Sequence, residues 1–444
     1  MKGLKLKIIA VLGVICVASA ITSCASSDKN SEEIDSSVVS LESENGSEQP
    51  SAFSKGLSYT VSSDGKTCTV TGIGSCADTE LIIPSRTPEG HFVTSIGDSA
   101  FSDCVWLASI TIPSSVTSIG RDAFIGCSGL ESITVAPDNK VFSDAGNCLI
   151  EIESKRLLLG CNKSVIPADG SVTSIGTGAF YDCGGLISIT IPNSITSIGN
   201  SAFYGCSGLT SITIPDSVTY IGQWAFYGCS GLESIVVESV NPKFHSDGNC
   251  LIETKSKILV AGCKNSIIPA DGSVTSIGDF AFYSCGGLTS ITIPDSVVSI
   301  GHSAFSGCSG LASITIGNGV TSIDAFAFSE CGGLTDITIP NSTTSIGDSA
   351  FYNCSGLISI TVSDSVTSIG HNAFKGCGGL ETVYYVGTLE QWDCVSIDIN
   401  NRELTSASRY YYSESEPNLN ADGTAYDGNY WRYDKNGNVA IWDF

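Results

Sequence analysis

The sequence predicts a solenoid: a rod of short, mostly β coils stacked in parallel, with short helical turns at the coil corners and a small β cap at each end. Three observations carry this. Residues 194–215 read S-I-T-S-I-G-N-S-A-F-Y-G-C-S-G-L-T-S-I-T-I-P, and from Ser217 the sentence starts again as S-V-T-Y-I-G-Q-W-A-F-Y-G-C-S-G-L-E-S-I-V-V. Its Ala-Phe-x-x-Cys core recurs ten times, at Cys104, Cys127, Cys183, Cys206, Cys229, Cys285, Cys308, Cys331, Cys354 and Cys377. Most of these cysteines are 23 residues from the next. A fixed period of this size marks a unit that buries its apolar residues only by stacking on its neighbour.

Within one coil, Ile212 and Ile214 alternate with Ser211 and Thr213, the period of a strand with isoleucines inward and hydroxyls outward. Pro215 has no N–H for a continuing ladder and stops it. Val218 and Ile221 form a second inward pair on the opposite side, and Gly222 turns the chain. Ala225, Phe226 and Cys229 sit at helical spacing, so one helical turn is expected to carry Phe226 inward. Ser230 and Gly231 break that turn before Leu232. Stacked copies place the strands in parallel register, roughly 4.8 Å apart.

The pattern I-G-x-x-A-F-x-x-C-x-x-L-x-x-I-x-I-P-x-x-V-x-x-I resembles the BspA-like leucine-rich repeat of bacterial and some protozoan surface proteins, over about residues 57–390. The resemblance implies a leucine-rich repeat solenoid with parallel strands on its concave face. It also implies a place on the cell surface and, as for some members, adhesion to host or bacterial partners. It brings no catalytic motif.

The residues at each end give an address. Lys2, Lys5 and Lys7 precede the apolar stretch 8–20, which is short for a membrane span, and Ile21-Thr22-Ser23-Cys24 resembles a lipobox. Residues 1–23 are expected to be a lipoprotein signal peptide and Cys24 the lipidated residue, so that the membrane is met only through a lipid anchor. Cleavage there removes three lysines and takes the net charge from −24 to −27. Residues 24–56, rich in Ser, Glu, Asp and Asn, read as a flexible acidic tether. Residues 57–92 read as an N-terminal cap, with Ser63-Asp64-Gly65-Lys66 turning between two strands and Leu81-Ile82-Ile83-Pro84 as an imperfect first rung.

The regular solenoid spans 93–386. Twice, from Cys127 to Cys183 and from Cys229 to Cys285, the spacing stretches to 56 residues. The inserts, near 138–170 and 240–272, resemble one another at 102 residues' distance: Asn147-Cys148-Leu149-Ile150-Glu151 matches Asn249-Cys250-Leu251-Ile252-Glu253. Each reads as a hairpin, turning at Ser154-Lys155 or Ser256-Lys257. That register sets Cys148 opposite Cys161 and Cys250 opposite Cys263, as cross-strand disulfides or as pairs of free thiols. The ten repeat cysteines occupy one inward site per coil, a column of small apolar side chains. Residues 387–444 read as an aromatic C-terminal cap. Thr388-Leu389-Glu390-Gln391-Trp392 forms a closing helix there, Tyr410-Tyr411-Tyr412 a strand, and Asn436-Gly437 the turn of a hairpin.

A net charge of −24, from 21 basic and 45 acidic residues, argues against nucleic-acid or anionic-membrane binding. No catalytic motif, metal site or cofactor site emerges. His302 and His371 share a repeat position but lie three rungs, roughly 15 Å, apart. The N-x-N-x-D-G run at Asn418 has Asn429 where a calcium loop needs Glu. What does repeat is a carpet of outward hydroxyls on the inner sheet. The candidate binding residues are Thr111, Thr190, Thr213, Thr292, Thr315, Thr338 and Thr361, with Val236, Asp336 and Tyr384 as departures that mark contact points. The sequence therefore predicts a lipid-anchored, monomeric surface protein that binds an extracellular protein or glycan and does not catalyse. The alternatives are a glycan-binding accessory protein and a structural envelope component.

Overall fold

A computed structural model of the protein describes residues 53–444. The signal peptide, Cys24 and the tether up to residue 52 lie outside the described residues. Each coil crosses two rows of strands. In the first row, four-residue strands such as Ser211–Ile214 and Ser234–Val237 pair in parallel, Ser211 with Ser234 and Ile212 with Ile235. In the second, two-residue strands such as Ser197–Ile198 and Tyr220–Ile221 pair likewise. Ile212, Ile214, Val218 and Leu209 are buried between the rows, while Ser211 and Thr213 are exposed.

The expected helical turn at Ala225–Cys229 is instead a chain of single turns. Ala225 N–H donates to Gly222 O, Tyr227 N–H to Trp224 O, and Cys229 N–H to Phe226 O. Trp224 takes a φ of +58°. A helix would aim these carbonyls along its own axis, but here they serve the neighbouring coil. Ala225 O accepts from Phe203 N–H and Tyr227 O from Gly205 N–H, both at 2.8 Å. The close stacking also explains the glycine of Ile-Gly: a Cβ on Gly199 would lie 2.7 Å from the backbone of Gly176 and Thr177.

Phenylalanines and cysteines form two inner columns. Adjacent Phe rings stack with centroids 4.8–5.7 Å apart, as in Phe305–Phe328 and Phe351–Phe374. The repeat thiols are free and buried, and are more than small apolar fillers. Cys206 donates to Phe180 O at 3.0 Å, Cys308 to Phe282 O at 3.1 Å and Cys354 to Phe328 O at 3.0 Å. Each sulfur thus satisfies a carbonyl of the preceding coil. Burial pushes the thiols of Cys127, Cys183, Cys229, Cys285 and Cys331 up to about 12.

Both inserts are three-stranded antiparallel units rather than two-stranded hairpins. The first comprises Phe142–Ser143, Leu149–Glu151 and Arg156–Leu159; the second comprises Phe244–Asp247, Cys250–Glu253 and Ile258–Ala261. Each turn takes four residues where the cysteine spacing implies two, with Glu151 paired to Arg156 and Glu253 to Ile258, and the register then bulges. Cys148 and Cys161, like Cys250 and Cys263, are therefore not register partners, and all four are buried free thiols. Cys148 donates to Gly146 O and Val165 O, while Cys161 lies 3.5 Å from Ser164 Oγ.

Two devices join insert to coil. Buried Asn139 donates to Pro113 O and Val116 O and accepts from Val141 and Phe142 N–H; Asn241 repeats all four bonds with Pro215, Val218, Lys243 and Phe244. Gly160 and Gly262 lie under the rings of Phe180 and Phe282, where a Cβ would overlap the ring. The inserts also cut both rows. Asn147 Oδ1 and Asp144 Oδ2 accept the N–H groups of Ile133 and Val135 that a next strand would have bonded. In the second insert Ser246 Oγ takes Val237 N–H. The short row falls into sheets of four, six and nine strands, and the four-residue row into three, two, two and six, its last break, between Ser313–Ile316 and Asp336–Thr338, lying away from either insert.

At the N-terminal end, Ser58–Val61 and Thr67–Gly72 form an antiparallel pair. Residues 53–56, assigned by composition to the tether, dock onto this end: Ser54 N–H donates to Ile82 O, and Ser75 N–H to Gly56 O. At the other end the helix Leu389–Trp392 is N-capped by Thr388. Ser408–Tyr412, Tyr430–Tyr433 and Val439–Ile441 then extend the last sheet. Trp431 is fully buried, and its Nε1 donates to Tyr385 O at 2.9 Å.

Candidate binding surfaces

The four-residue strands carry most of the candidate binding residues. Thr190, Thr213, Thr292, Thr315 and Thr338 are exposed, as are Val236 and Asp336, while Thr111 and Tyr384 are half-buried. Thr361 departs from the expectation: it is buried, because its register neighbour is Tyr384, whose ring packs edge-on against Trp431. Nor is the carpet continuous. The sheet breaks separate Thr111 from Thr190, Val236 from Thr292, and Thr315 from Asp336. Thr190 lies next to the isolated bridge Ser188–Ser211 rather than in a strand.

Periodicity did not disclose a second kind of surface. Where each insert interrupts the short row, a groove opens between the last two-residue strand and the inserted strands. The first groove, ≈ 330 Å³, is lined by Arg121, Asp122, Arg156, Leu158, Thr177 and Gly178 among others. The second, ≈ 720 Å³, has Gln223, Trp224, Ile258, Val260, Asp279 and Phe280 at the same six positions, each 102 residues on. Trp224 and Phe280 meet at right angles, with ring centroids 5.9 Å apart, and Tyr227 lies 5.4 Å from Phe280. The aromatic edge continues through His302 to Phe326, at 5.3 and 5.6 Å. Beside it, Tyr181, Tyr204, Tyr227 and Tyr283 stack at 4.4, 4.4 and 3.7 Å, crossing the second insert without a gap. The clue in the sequence was the residue three places after the inward isoleucine of Ile-Gly (Ile-Asp at 323–324), which changes from Asp, Ser, Gly and Asn elsewhere to Trp224, Phe280 and Phe326.

The polar groups near the grooves are largely tied to the frame. Asp279 Oδ1 accepts His302 N–H at 2.9 Å, as Asp348 Oδ1 accepts His371 N–H at 2.8 Å. Glu253 pairs with Lys243 at 2.9 Å, and its carboxyl is held below its ordinary range by the Ser256 hydroxyl and Lys243. Asp422, in the calcium-like run, accepts from Thr424 N–H and Oγ1. Among the described residues no three His, Cys, Asp or Glu side chains converge as metal ligands, and no helix is long and apolar enough to cross a membrane.

Parallel β coils of 23 residues, with leucine and isoleucine at fixed inward positions, define a leucine-rich repeat protein. The chain belongs to the BspA type leucine-rich repeat family, whose sequence profile matches six copies over residues 75–149, 150–255 and 275–398. Among solved structures it is similar to a leucine-rich cell surface protein of Faecalibacterium prausnitzii A2-165, at 30% identity and a TM-score of 0.57, covering 78% of this chain and 98% of that one. It shares its fold with the pneumococcal vaccine antigen PcpA, at 20% identity and a TM-score of 0.53, over 82% of this chain and 93% of that one. No curated protein matches the sequence.

Proposed function

We propose that this is a lipid-anchored protein, displayed on the cell surface, that holds an extracellular protein against its four-residue strands and catalyses no reaction. The observation that supports this best is the exposure of Thr213, Val236, Thr292, Thr315 and Asp336 on successive strands of the four-residue row, in three sheets, whose inward residues are committed to the core. An exposed valine and an aspartate among hydroxyls give the row distinguishable contact points, and an extended face of this kind suits a protein partner better than a small molecule. The family and its likeness to a bacterial cell surface protein support the address. The lipobox-like Ile21-Thr22-Ser23-Cys24 supports the anchor, with the molecule acting as a monomer and without nucleic acid or cofactor.

The test is retention of host-cell-surface and bacterial-envelope proteins on the immobilised wild-type protein and on a Val236→Asp/Asp336→Lys variant. The expected result is a retained protein that the variant loses at least tenfold. Equal retention by both would contradict the assignment of the face. Fractionation of cells expressing Cys24→Ala tests the anchor, with release from the membrane expected.

A further inference from the structure

We infer that the groove at the second insert, centred on Trp224 and Phe280, is a binding site for an uncharged glycan chain. It lies off the four-residue strands and stands apart from the protein-binding role proposed for them. The inference begins from the duplication. The two inserts share their strands, their asparagine bolts and their buried glycines, so this backbone forms without aromatic residues in the groove. The first copy has Asp122 and Gly178 where the second has Trp224 and Phe280. These two positions have positive φ in both copies: +55° and +62° in the first, +58° and +59° in the second. The fold imposes this φ in every coil, where Ser99, Ser201, Ser303, Ser349 and Asn372 also take it; small or polar residues hold it readily, whereas a bulky aromatic there is strained. Trp224 is nonetheless 49% exposed, so its ring is not there to fill the core.

The lining identifies the class of ligand. Two rings at right angles, backed by Tyr227, offer flat faces with negative quadrupoles to the C–H face of a sugar ring. Gln223, Asp279, Asp324, Ser299 and Ser322 place amide, carboxylate and hydroxyl groups around them, suited to sugar hydroxyls. Ser276, Ser299 and Ser322 recur at 23 residues, one per rung and roughly 4.8 Å apart, a periodic row that suits a repeating polymer. No Lys or Arg lines the groove, so an anionic polymer meets Asp279 and Asp324 without a counter-charge. Asp279 Oδ1 and Asp324 Oδ1 accept backbone N–H groups, from His302 at 2.9 Å and Ala325 at 2.6 Å, and Glu253 is paired with Lys243, so the frame fixes these carboxylates in place; a cationic peptide is the competing ligand that hexalysine tests.

The test is isothermal titration of the full-length protein with hexasaccharides of glucose, mannose, xylose and galactose in both α and β linkages. Hexagalacturonate and hexalysine serve as charged controls. The variants are Trp224→Asp and Phe280→Gly, which install the residues of the first groove and so suit this backbone, with Trp106→Ala as an exposed-ring control. Thermal melts check that each variant is folded. The expected result is binding of at least one neutral hexasaccharide, weakened at least tenfold by each groove variant and unchanged by Trp106→Ala and by Val236→Asp. The inference is overturned if no neutral hexasaccharide binds, if only a charged control binds, or if binding persists in folded Trp224→Asp and Phe280→Gly. The protein-binding role stands or falls separately, on the Val236→Asp/Asp336→Lys variant.

Discussion

The two inserts are the same junction built twice, and comparing them separates what the fold requires from what it permits. Asn139 and Asn241 make the same four bonds, and Gly160 and Gly262 lie under equivalent rings. The grooves beside them keep Ile119 as Ile221, Gly120 as Gly222, Ala123 as Ala225 and Phe124 as Phe226, and differ at the positions that face outward from these. One, of ≈ 330 Å³, has Arg121, Arg156 and Gly178 in its lining; the other, of ≈ 720 Å³, has Trp224, Phe280 and Asp279. Residues equal in both copies hold the stack together, and residues that differ are available for recognition. This comparison can be broken at several points.

The largest effect bears on the frame common to both halves. The thiol column stays neutral in the fold to about pH 12, while the same thiols in the unfolded chain ionise from an ordinary value of 9.0. Between those values the unfolded state binds fewer protons, so stability falls as pH rises. The slope approaches about 1.4 kcal/mol per pH unit for each fully shifted thiol. The stability is fully present below pH 9 and lost towards pH 12. Urea midpoints measured from pH 7 to 10.5 should be flat at first and then drop steeply, and a flat profile throughout would refute the buried column.

Next come the bolts. Asn139→Ala and Asn241→Ala each strand one carbonyl, Val116 O or Val218 O, and two N–H groups, and each should cost about 3 kcal/mol in chemical denaturation. The two values should agree, since the bonds do. Smaller, and again equal, is the cost of Gly160→Ala and Gly262→Ala, where a methyl group meets a packed ring: about 1–3 kcal/mol in the same measurement. The smallest effect is also the most asymmetric. Phe280→Gly trades ring contacts for relief of a strained φ and should change stability by less than about 1 kcal/mol, whereas Gly178→Phe should cost about 1–3 kcal/mol. A large loss of stability in Phe280→Gly would make that ring part of the frame.

Much of the frame was legible in the sequence because stacking repeats each requirement in every coil. The alternation at Ile212 and Ile214, and the fixed place of Phe and Cys, are direct consequences of burial at one site per coil. The helical reading of Ala225–Cys229 missed because spacing cannot show that Ala225 O and Tyr227 O are bonded to the preceding coil. The cysteine register in the inserts missed through a four-residue turn, where two residues were expected, and a bulge, which spacing alone does not encode. Thr361 sits at an outward position by period and is still buried, because the terminal aromatics lie over that end of the sheet. The grooves were invisible for a different reason. They arise where strand pairing stops, so no single coil contains them. Only the exchange of small residues for Trp224, Phe280 and Phe326 at a left-handed position pointed there.

The most direct test of the division between frame and recognition surface is hydrogen exchange on the full-length protein, with and without the neutral hexasaccharide that binds. The account predicts added protection at 222–228 and 278–283, with 120–126 and 176–181 unchanged. Equal protection at both junctions, or protection confined to the four-residue strands, would contradict it.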